Sequence, residues 1–339
     1  MVVLVMGLAV FLVVRSRDDG PTAAEPAATA APTLDVKPLT PRTALRPTGA
    51  TLVLVPAEAE YLTITDLDAI RARLGVPDLT SEDLMTDRQA FWDRAEREAV
   101  LLTDGLLRAD NSELWLDYDF SEDDVDWESR FSGPDGDPAG GGYVLAFRPD
   151  RDMAKVQAAV DAGVGPLVGA TVWPELHLLT KGVADEGEPV WAGNPDLVGL
   201  LRGPGESTYL RRGCIPFADA LGTDGGVEDQ DAVLAQHDIA GLDDLPAVAV
   251  SFSDDVATAW FGPDREDLFD RADLIADWPT TGSIGFADGF AEDDAVDPST
   301  GRIGLHVTNP VAAAHLTLTE ILPFGVCNDA SPLDEPTGL

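Results

Sequence analysis

Seven tryptophans punctuate the chain, and two of them directly follow an aspartate, in Asp126-Trp127-Glu128 and Asp277-Trp278. An indole face offers a large apolar platform with a polar N–H at its edge, and a neighbouring carboxylate accepts hydrogen bonds from a ligand. Asp126, Trp127, Asp277 and Trp278 are therefore the candidate ligand-binding residues. The ordinary alternative is that both indoles lie in the core, each with its N–H on a partner.

The remaining motif chemistry is thin. His177, His237, His306 and His315 are the only histidines, and none has the i, i+4 spacing that places two imidazoles on one zinc ion. There is no Gly-x-Ser-x-Gly elbow, no phosphate-binding Gly-x-x-x-x-Gly-Lys and no Gly-x-Gly-x-x-Gly after a strand. The acidic runs Ser121–Asp126 and Glu292–Asp297 lack the alternating Asp spacing and distant Glu of a calcium loop, and read as solvated turns. No catalytic residue, metal or cofactor is assigned. Glycoside hydrolysis by paired carboxylates stays open, because that pairing is made in space rather than along the chain.

Cys214 and Cys327 are the only cysteines, too few for a four-ligand zinc site and too far apart for a Cys-x-x-Cys redox motif. In an exported chain an even cysteine count predicts one disulfide between them. Closing so long a loop is worth about 4–5 kcal/mol in the chain-entropy picture, as an upper figure.

These residues need elements to hold them. With 45% hydrophobic residues the chain has enough apolar side chains for a packed core. The 61 acidic and 22 basic residues give a net charge of −39, a surface that repels nucleic acid and anionic lipid. Strands are expected at Thr51–Val55, Tyr61–Thr65, Glu113–Tyr118, Tyr143–Phe147, Ala170–Trp173, Leu176–Thr180, Thr208–Arg211, Ala247–Phe252, Val256–Phe261 and Arg302–Thr308. Helices are expected from Asp66 to Leu74, and from Thr80 to about Leu102 with Leu84, Phe91, Trp92, Ala95, Ala99 and Leu102 inward. Further helices follow at Asp150–Ala162, Val227–Gln236 and Asp264–Ala276. Asn194-Pro195 and Asn309-Pro310 each set a cap followed by a first-turn proline.

Phe147-Arg-Pro-Asp-Arg-Asp-Met153 echoes Phe261-Gly-Pro-Asp-Arg-Glu-Asp-Leu268: a strand ends at Phe, Pro fixes the turn, and acids crowd the helix start. Duplication and convergence on good strand-to-helix chemistry account for it equally well. The fold class is α+β, with antiparallel or mixed sheets, helices packed on one face, and two related halves as a possibility.

The uncharged run Val2–Val14 would span roughly 20 Å as a helix, short of the roughly 30 Å of a bilayer core. No basic segment precedes it and no cleavage site follows closely. It therefore reads as an N-terminal membrane anchor or uncleaved signal over residues 1–17, with the natural start expected upstream. Residues 18–48, rich in Pro, Ala and Thr, form an extended tether of roughly 90 Å.

Leu116-Asp-Tyr-Asp-Phe120, Asp123-Asp-Val-Asp-Trp-Glu128, Arg211-Arg-Gly-Cys-Ile-Pro-Phe217 and Leu322-Pro-Phe-Gly-Val-Cys327 resemble a family of membrane-anchored or secreted envelope proteins of high-GC Gram-positive bacteria, of unknown function. The resemblance covers residues 51–327 and implies an envelope location but no catalytic residues. The expected organisation is anchor, tether, a first half over 49–225, a second half over 226–330 packed on the first, and a disordered tail over 331–339. The expected function is a single-pass, extracytoplasmic binding or structural protein whose partner is an envelope protein, a wall polymer or a lipid-like ligand. The alternative is a wall-glycan hydrolase working through an Asp/Glu pair.

Overall fold

The computed structural model describes residues 47–201, 205–291, 295–331 and 333. Ten strands form one sheet: β1 (Tyr61–Asp66), β2 (Val125–Phe131), β3 (Gly142–Phe147), β4 (Thr171–Trp173), β5 (Leu178–Lys181), β6 (Ser207–Arg212), β7 (Ala247–Ser253), β8 (Val256–Trp260), β9 (Ala295–Asp297) and β10 (Arg302–His306). Every pairing between these strands is antiparallel. The order across the sheet is β4-β5-β3-β2-β1-β6-β7-β8-β10-β9. Counted outward from the central β1–β6 pair, β1-β2-β3-β5-β4 on one side repeats as β6-β7-β8-β10-β9 on the other. The second set opens at Ser207. The two Phe-x-Pro-Asp segments of the sequence follow β3 and β8, the third strand of each set.

The helices are α1 (Pro47–Leu52), α2 (Leu67–Arg73), α3 (Met85–Glu98), α4 (Asn111–Tyr118), α5 (Met153–Ala162), α6 (Pro195–Leu200), α7 (Phe217–Leu221), α8 (Val227–Leu234), α9 (Leu268–Asp277), α10 (Phe286–Gly289) and α11 (Pro310–Leu318). Side chains alternate across each strand, so the sheet has two apolar faces. On one face α2 to α5 cover the first set around Ile70, Phe91, Leu145 and Val156. On the same face α7 to α11 cover the second set around Val250, Leu274, Ile303 and Leu316. On the other face α1 and α6 close the middle over Leu62, Ile64, Val144 and Trp191. The architecture is α+β, an antiparallel sheet with helices packed against it.

Local chemistry explains most boundaries. Asp66 caps α2 through the Ala69 N–H, Asp152 caps α5 through the Ala154 N–H, and Gly163 ends α5 in the left-handed conformation. Asn194 and Asn309 cap α6 and α11 ahead of their prolines.

Three readings change. The strand expected at Thr51–Val55 is the last two residues of α1 followed by a turn, because a short apolar run has no period that separates helix from strand. Glu113–Tyr118 lies in α4, with Leu114 as its one buried residue; the alternation of its side chains mimics a strand. Leu84 is 69% exposed, while Phe91, Trp92, Ala95, Ala99 and Leu102 are buried as expected.

The membrane-tethered envelope protein also needs correction. A span takes about 20 consecutive apolar residues. None of the described helices is long and apolar enough to cross a membrane; the longest, α3, has 14 residues and carries several charges. The run 2–14, on which the transmembrane helix, extracytoplasmic location and envelope role depended, lies outside the described residues, as do the tether up to residue 46 and all of the tail beyond 333. No membrane or envelope role is assigned below.

Candidate functional site

The central strands β1 and β6 turn polar side chains to the main helical face: Thr63, Thr65, Ser207, Tyr209 and Arg211. An apolar layer cannot continue across such groups without leaving them unpaired. The helical layers of the two sets therefore part along this seam, except where α3 and α11 meet. The polar groups are satisfied laterally. Tyr209 Oη and Arg211 Nη1 both donate to Glu320, and Arg211 Nη2 donates to Glu60. Glu320 sits just past α11 with φ 60°, a left-handed backbone that is uncommon for a residue with a Cβ. That position is what brings its carboxylate onto the seam. Burial, with the Glu320 charge adding to it, raises Tyr209 well above its ordinary pKa, so its hydroxyl stays neutral and donates.

Two hollows open along the seam, separated by Tyr61 and Leu318. The larger, about 570 Å³, lies over the first set; the smaller, about 440 Å³, lies toward α7 and the end of α11. Tyr61 stacks on Tyr209 with ring centroids 6.3 Å apart. Burial, aided by the Glu320 charge, raises its pKa, and its hydroxyl has no hydrogen-bond partner among the described residues.

The larger hollow has a wall, a rim and charged groups of separate origin. Its wall is the segment after α3, Leu101 to Leu106, tied to the sheet by two hydrogen bonds and, through Leu107, to the acidic run before β2 by a third. Thr103 N donates to Thr65 Oγ1 at 3.0 Å, Leu106 N to Glu128 Oε2 at 2.9 Å, and Leu107 N to Glu122 Oε2 at 2.7 Å. Its rim is the loop 132–141, whose return is crowded. A Cβ on Gly141 would fall 1.8 Å from Phe131 O, and one on Gly142 would fall 2.1 Å from Lys181 O. Only glycine lets the backbone approach so closely. Arg130 lies in the floor and donates to Glu128 at 2.5 Å and to Asp104 at 2.6 Å. Lys181, at the end of β5, is exposed and makes no ion pair among the described residues.

Glu122 and Glu128 lie beneath the wall, close enough for the charge of one to act on the other. Both are fully buried and neither lines the hollow. Burial, with the charge of Glu128 beside it, raises Glu122 well above its usual range. Burial also raises Glu128, with Arg130 opposing. Their oxygens hold backbone N–H groups of the wall. This corrects the glycan-hydrolase alternative, since a general acid and its partner must reach substrate.

The acidic run around Glu122 is not a solvated turn. Ser121, Glu122, Asp123 and Asp124 are all buried. Ser121 and Asp124 form a capping box. Asp123 accepts from Trp92 Nε1 at 2.9 Å and Arg88 Nη1 at 3.1 Å, and Asp124 accepts from Ser81 N at 3.1 Å. Ser121-x-x-Asp124 is the sequence signal for this box; the excess of acids elsewhere masks it.

The four candidate ligand residues lie apart. Trp127 is buried on the opposite face, in the core with Ile64, Val144 and Trp191. Asp126 stands 3.4 Å from Arg71, and burial raises its pKa to about 6, with Arg71 opposing. Trp278 is buried against Phe217 and its Nε1 donates to Ala220 O at 3.0 Å. Asp277 lies 3.2 Å from His237. None of the four lines either hollow. Cys214 and Cys327 are bonded to each other, with Cα atoms 4.9 Å apart. Among the described residues no group of three or more His, Cys, Asp or Glu is placed to hold a metal ion.

Tyr61, Thr63, Arg130, Lys181 and Leu318 were not singled out as ligand residues. They come from three strands and a helix, and no local spacing links them. Compared with known proteins, the chain matches no family model, no curated protein and no solved structure.

Proposed function

We propose that the domain binds a small amphipathic molecule carrying an acid group in the larger seam hollow. Of the partners the sequence offers, this is the lipid-like ligand, without any membrane. The observation that carries the reading is the pairing of a half-apolar hollow of ligand size with an unpaired cation. Ligand sites commonly occupy roughly 300–1,000 Å³, mostly apolar with a few placed polar groups, and this one has about 570 Å³. Leu101, Leu106 and Leu318 supply the apolar contact, and the Tyr61 hydroxyl is free to hydrogen-bond.

Lys181 sets the polarity of the ligand. In a chain of net charge −39 an acid approaches most surfaces against repulsion. Arg130 is already neutralised by Glu128 and Asp104, so Lys181 is the cation left for a ligand carboxylate. A carboxylate on an ammonium is a charge-assisted contact, stronger than a neutral hydrogen bond.

The test uses decanoate and decylamine as probes on the full chain, read by thermal shift and native mass spectrometry. Decanoate should stabilise the protein and decylamine should not. Lys181→Glu should weaken decanoate about tenfold or more, equivalent to about 1.4 kcal/mol. Equal response to both probes, or an unchanged affinity in the variant, would overturn the proposal.

A further inference from the structure

A second surface shares no residue with the seam. Leu84 and Met85, at the start of α3, and Leu116, on α4, are 69%, 61% and 77% exposed. Met85, Trp115 and Leu116 line a groove of about 320 Å³ between the two helices, with Trp92 and Arg88 beneath. Arg88 lies 5.9 Å from the Trp115 ring centre and is held by Asp123 at 3.1 Å. Exposed Leu and Met side chains gathered at one groove mark an interaction site more often than a bare surface, and Met adapts its shape to what it meets.

Trp115 also borders an adjoining pocket of about 310 Å³ that carries the carboxylates of Glu82, Asp119, Asp150 and Asp152. Its two cations are already engaged: Lys155 pairs with Asp119, and Arg151 lies 3.4 Å from Glu82 and donates to the Asp119 carbonyl at 3.0 Å. Asp87, Glu113 and Asp117 are exposed on the same two helices, and Asp83 is exposed just before α3. One indole thus separates an apolar seat from an acidic one.

We infer that the α3–α4 groove docks a basic amphipathic segment of a partner protein. An apolar side chain of that segment sits on Met85, Trp115 and Leu116, and a Lys or Arg one turn away reaches the carboxylates across the indole. The occupant is chosen by charge complementarity: acids frame the apolar seat, so an acidic partner is rejected and a basic one is steered in. Helices seated in grooves present their anchors at this spacing.

The test uses the full chain and two labelled 14-residue probes, one of Leu and Lys patterned as an amphipathic helix, the other with Glu in place of each Lys. Binding is read by fluorescence anisotropy at about 0.3 M salt, where the Debye length is short enough to damp long-range attraction. The Lys probe should bind and the Glu probe should not. Met85→Ser with Leu116→Ser should weaken the Lys probe about tenfold or more, and Glu82→Gln with Asp150→Asn about threefold. All four positions are exposed, so the fold is retained, and circular dichroism checks this. The inference is overturned if the serine variant binds as tightly as the wild type, if both probes bind equally, or if neither binds. It is also overturned if the wild type sediments as a dimer that the serine variant abolishes, or if a synthetic Val2–Arg17 peptide occupies the groove ahead of the probe.

Discussion

The first five strands and the last five follow the same path outward from the centre, and each set buries an arginine, yet they differ in what surrounds it. In the first set the helical layer is pinned by buried charge. Arg71 is fully buried on α2 and donates to the carbonyls of Asp123 and Val125 and to Asp126, and the acidic run 121–124 ties α3 and its following segment to β2. In the second set Arg271 is likewise fully buried, on α9, and donates to Asp267 and to the carbonyls of Asp243, Phe324 and Val326, but aromatic rings fill much of the layer around it: Phe286 stacks on Phe290 at 4.7 Å and meets Phe324 edge-on at 6.1 Å. The Cys214–Cys327 bond then fastens the chain end, beside the bridge between Ile215 and Val326. Strand order alone does not choose between the two. A second difference decides where a cleft forms: the β2–β3 connection is the loop 132–141, whereas β7 and β8 are joined through Asp254 and Asp255 alone.

The largest effects should come from removing Arg71 in the first set and the disulfide in the second. Arg71→Ala leaves two buried carbonyls and Asp126 without their donor, and such losses cost about 3–5 kcal/mol. Replacing both cysteines by Ala, or reducing the bond, should cost about 2–4 kcal/mol by releasing a loop of 113 residues. Urea denaturation measures both. If Arg71→Ala costs under about 1 kcal/mol, the first set does not depend on buried charge, and the contrast between the sets fails.

That contrast was only half legible in the sequence. In the second set four of the five strands are expected, β7 and β8 because Ala247–Phe252 and Val256–Phe261 are apolar and a short acidic turn divides them, while β9 falls in the run Glu292–Asp297 that reads as a solvated turn. In the first set four strands are likewise expected and β2 is not. Its inward positions hold Glu128 and Arg130 where a strand pattern calls for apolar side chains, and the two neutralise each other at 2.5 Å only once the strand is in place. The seam hollow was invisible for a related reason. Tyr61 and Lys181 come together through antiparallel pairing of β1, β2, β3 and β5, a relation between distant segments. Local signals such as the Asp66 cap and the Asn-Pro pairs are legible because they act within one turn.

Acid titration should separate the sets again, by sign. Asp126 is raised from 3.8 to about 6 by burial, against Arg71, so between about pH 4 and 6 the folded state holds a proton that the unfolded chain has released. Stability from this group therefore falls as pH rises through that window. Asp267 in the second set is also pushed up by burial. Hydrogen bonds from Arg265 and the charge of Arg271 outweigh this and hold it below its ordinary 3.8. Its contribution is present above about pH 4 and is lost as pH falls through the folded value. Asp126→Asn should flatten the slope between pH 4 and 6 and gain about 1 kcal/mol at pH 7. Asp267→Asn should instead lose stability at pH 7. Equal pH profiles for the two variants would break the contrast.

The smallest effect on stability should accompany the largest effect on binding. Replacing residues 133–140 by Asn-Gly gives the β2–β3 hairpin the short form of its counterpart, with a dipeptide suited to a tight hairpin turn. Ser132 is kept because its Oγ accepts from the backbone N–H groups of Glu60 and Tyr61 at 3.0 and 3.1 Å. The strands on either side retain their register, from Phe131 opposite Gly142 to Trp127 opposite Ala146. Loop residues add little apolar burial, and loop length changes closure entropy only by tenths of a kcal/mol, so stability should stay within about 1 kcal/mol of the wild type. Pro138 and Ala139, however, leave the wall of the hollow. The decanoate response should disappear while Lys181 and Tyr61 remain in place. If the shortened protein still binds decanoate with wild-type affinity, the long hairpin is not what distinguishes the two sets, and the ligand sits elsewhere on the seam.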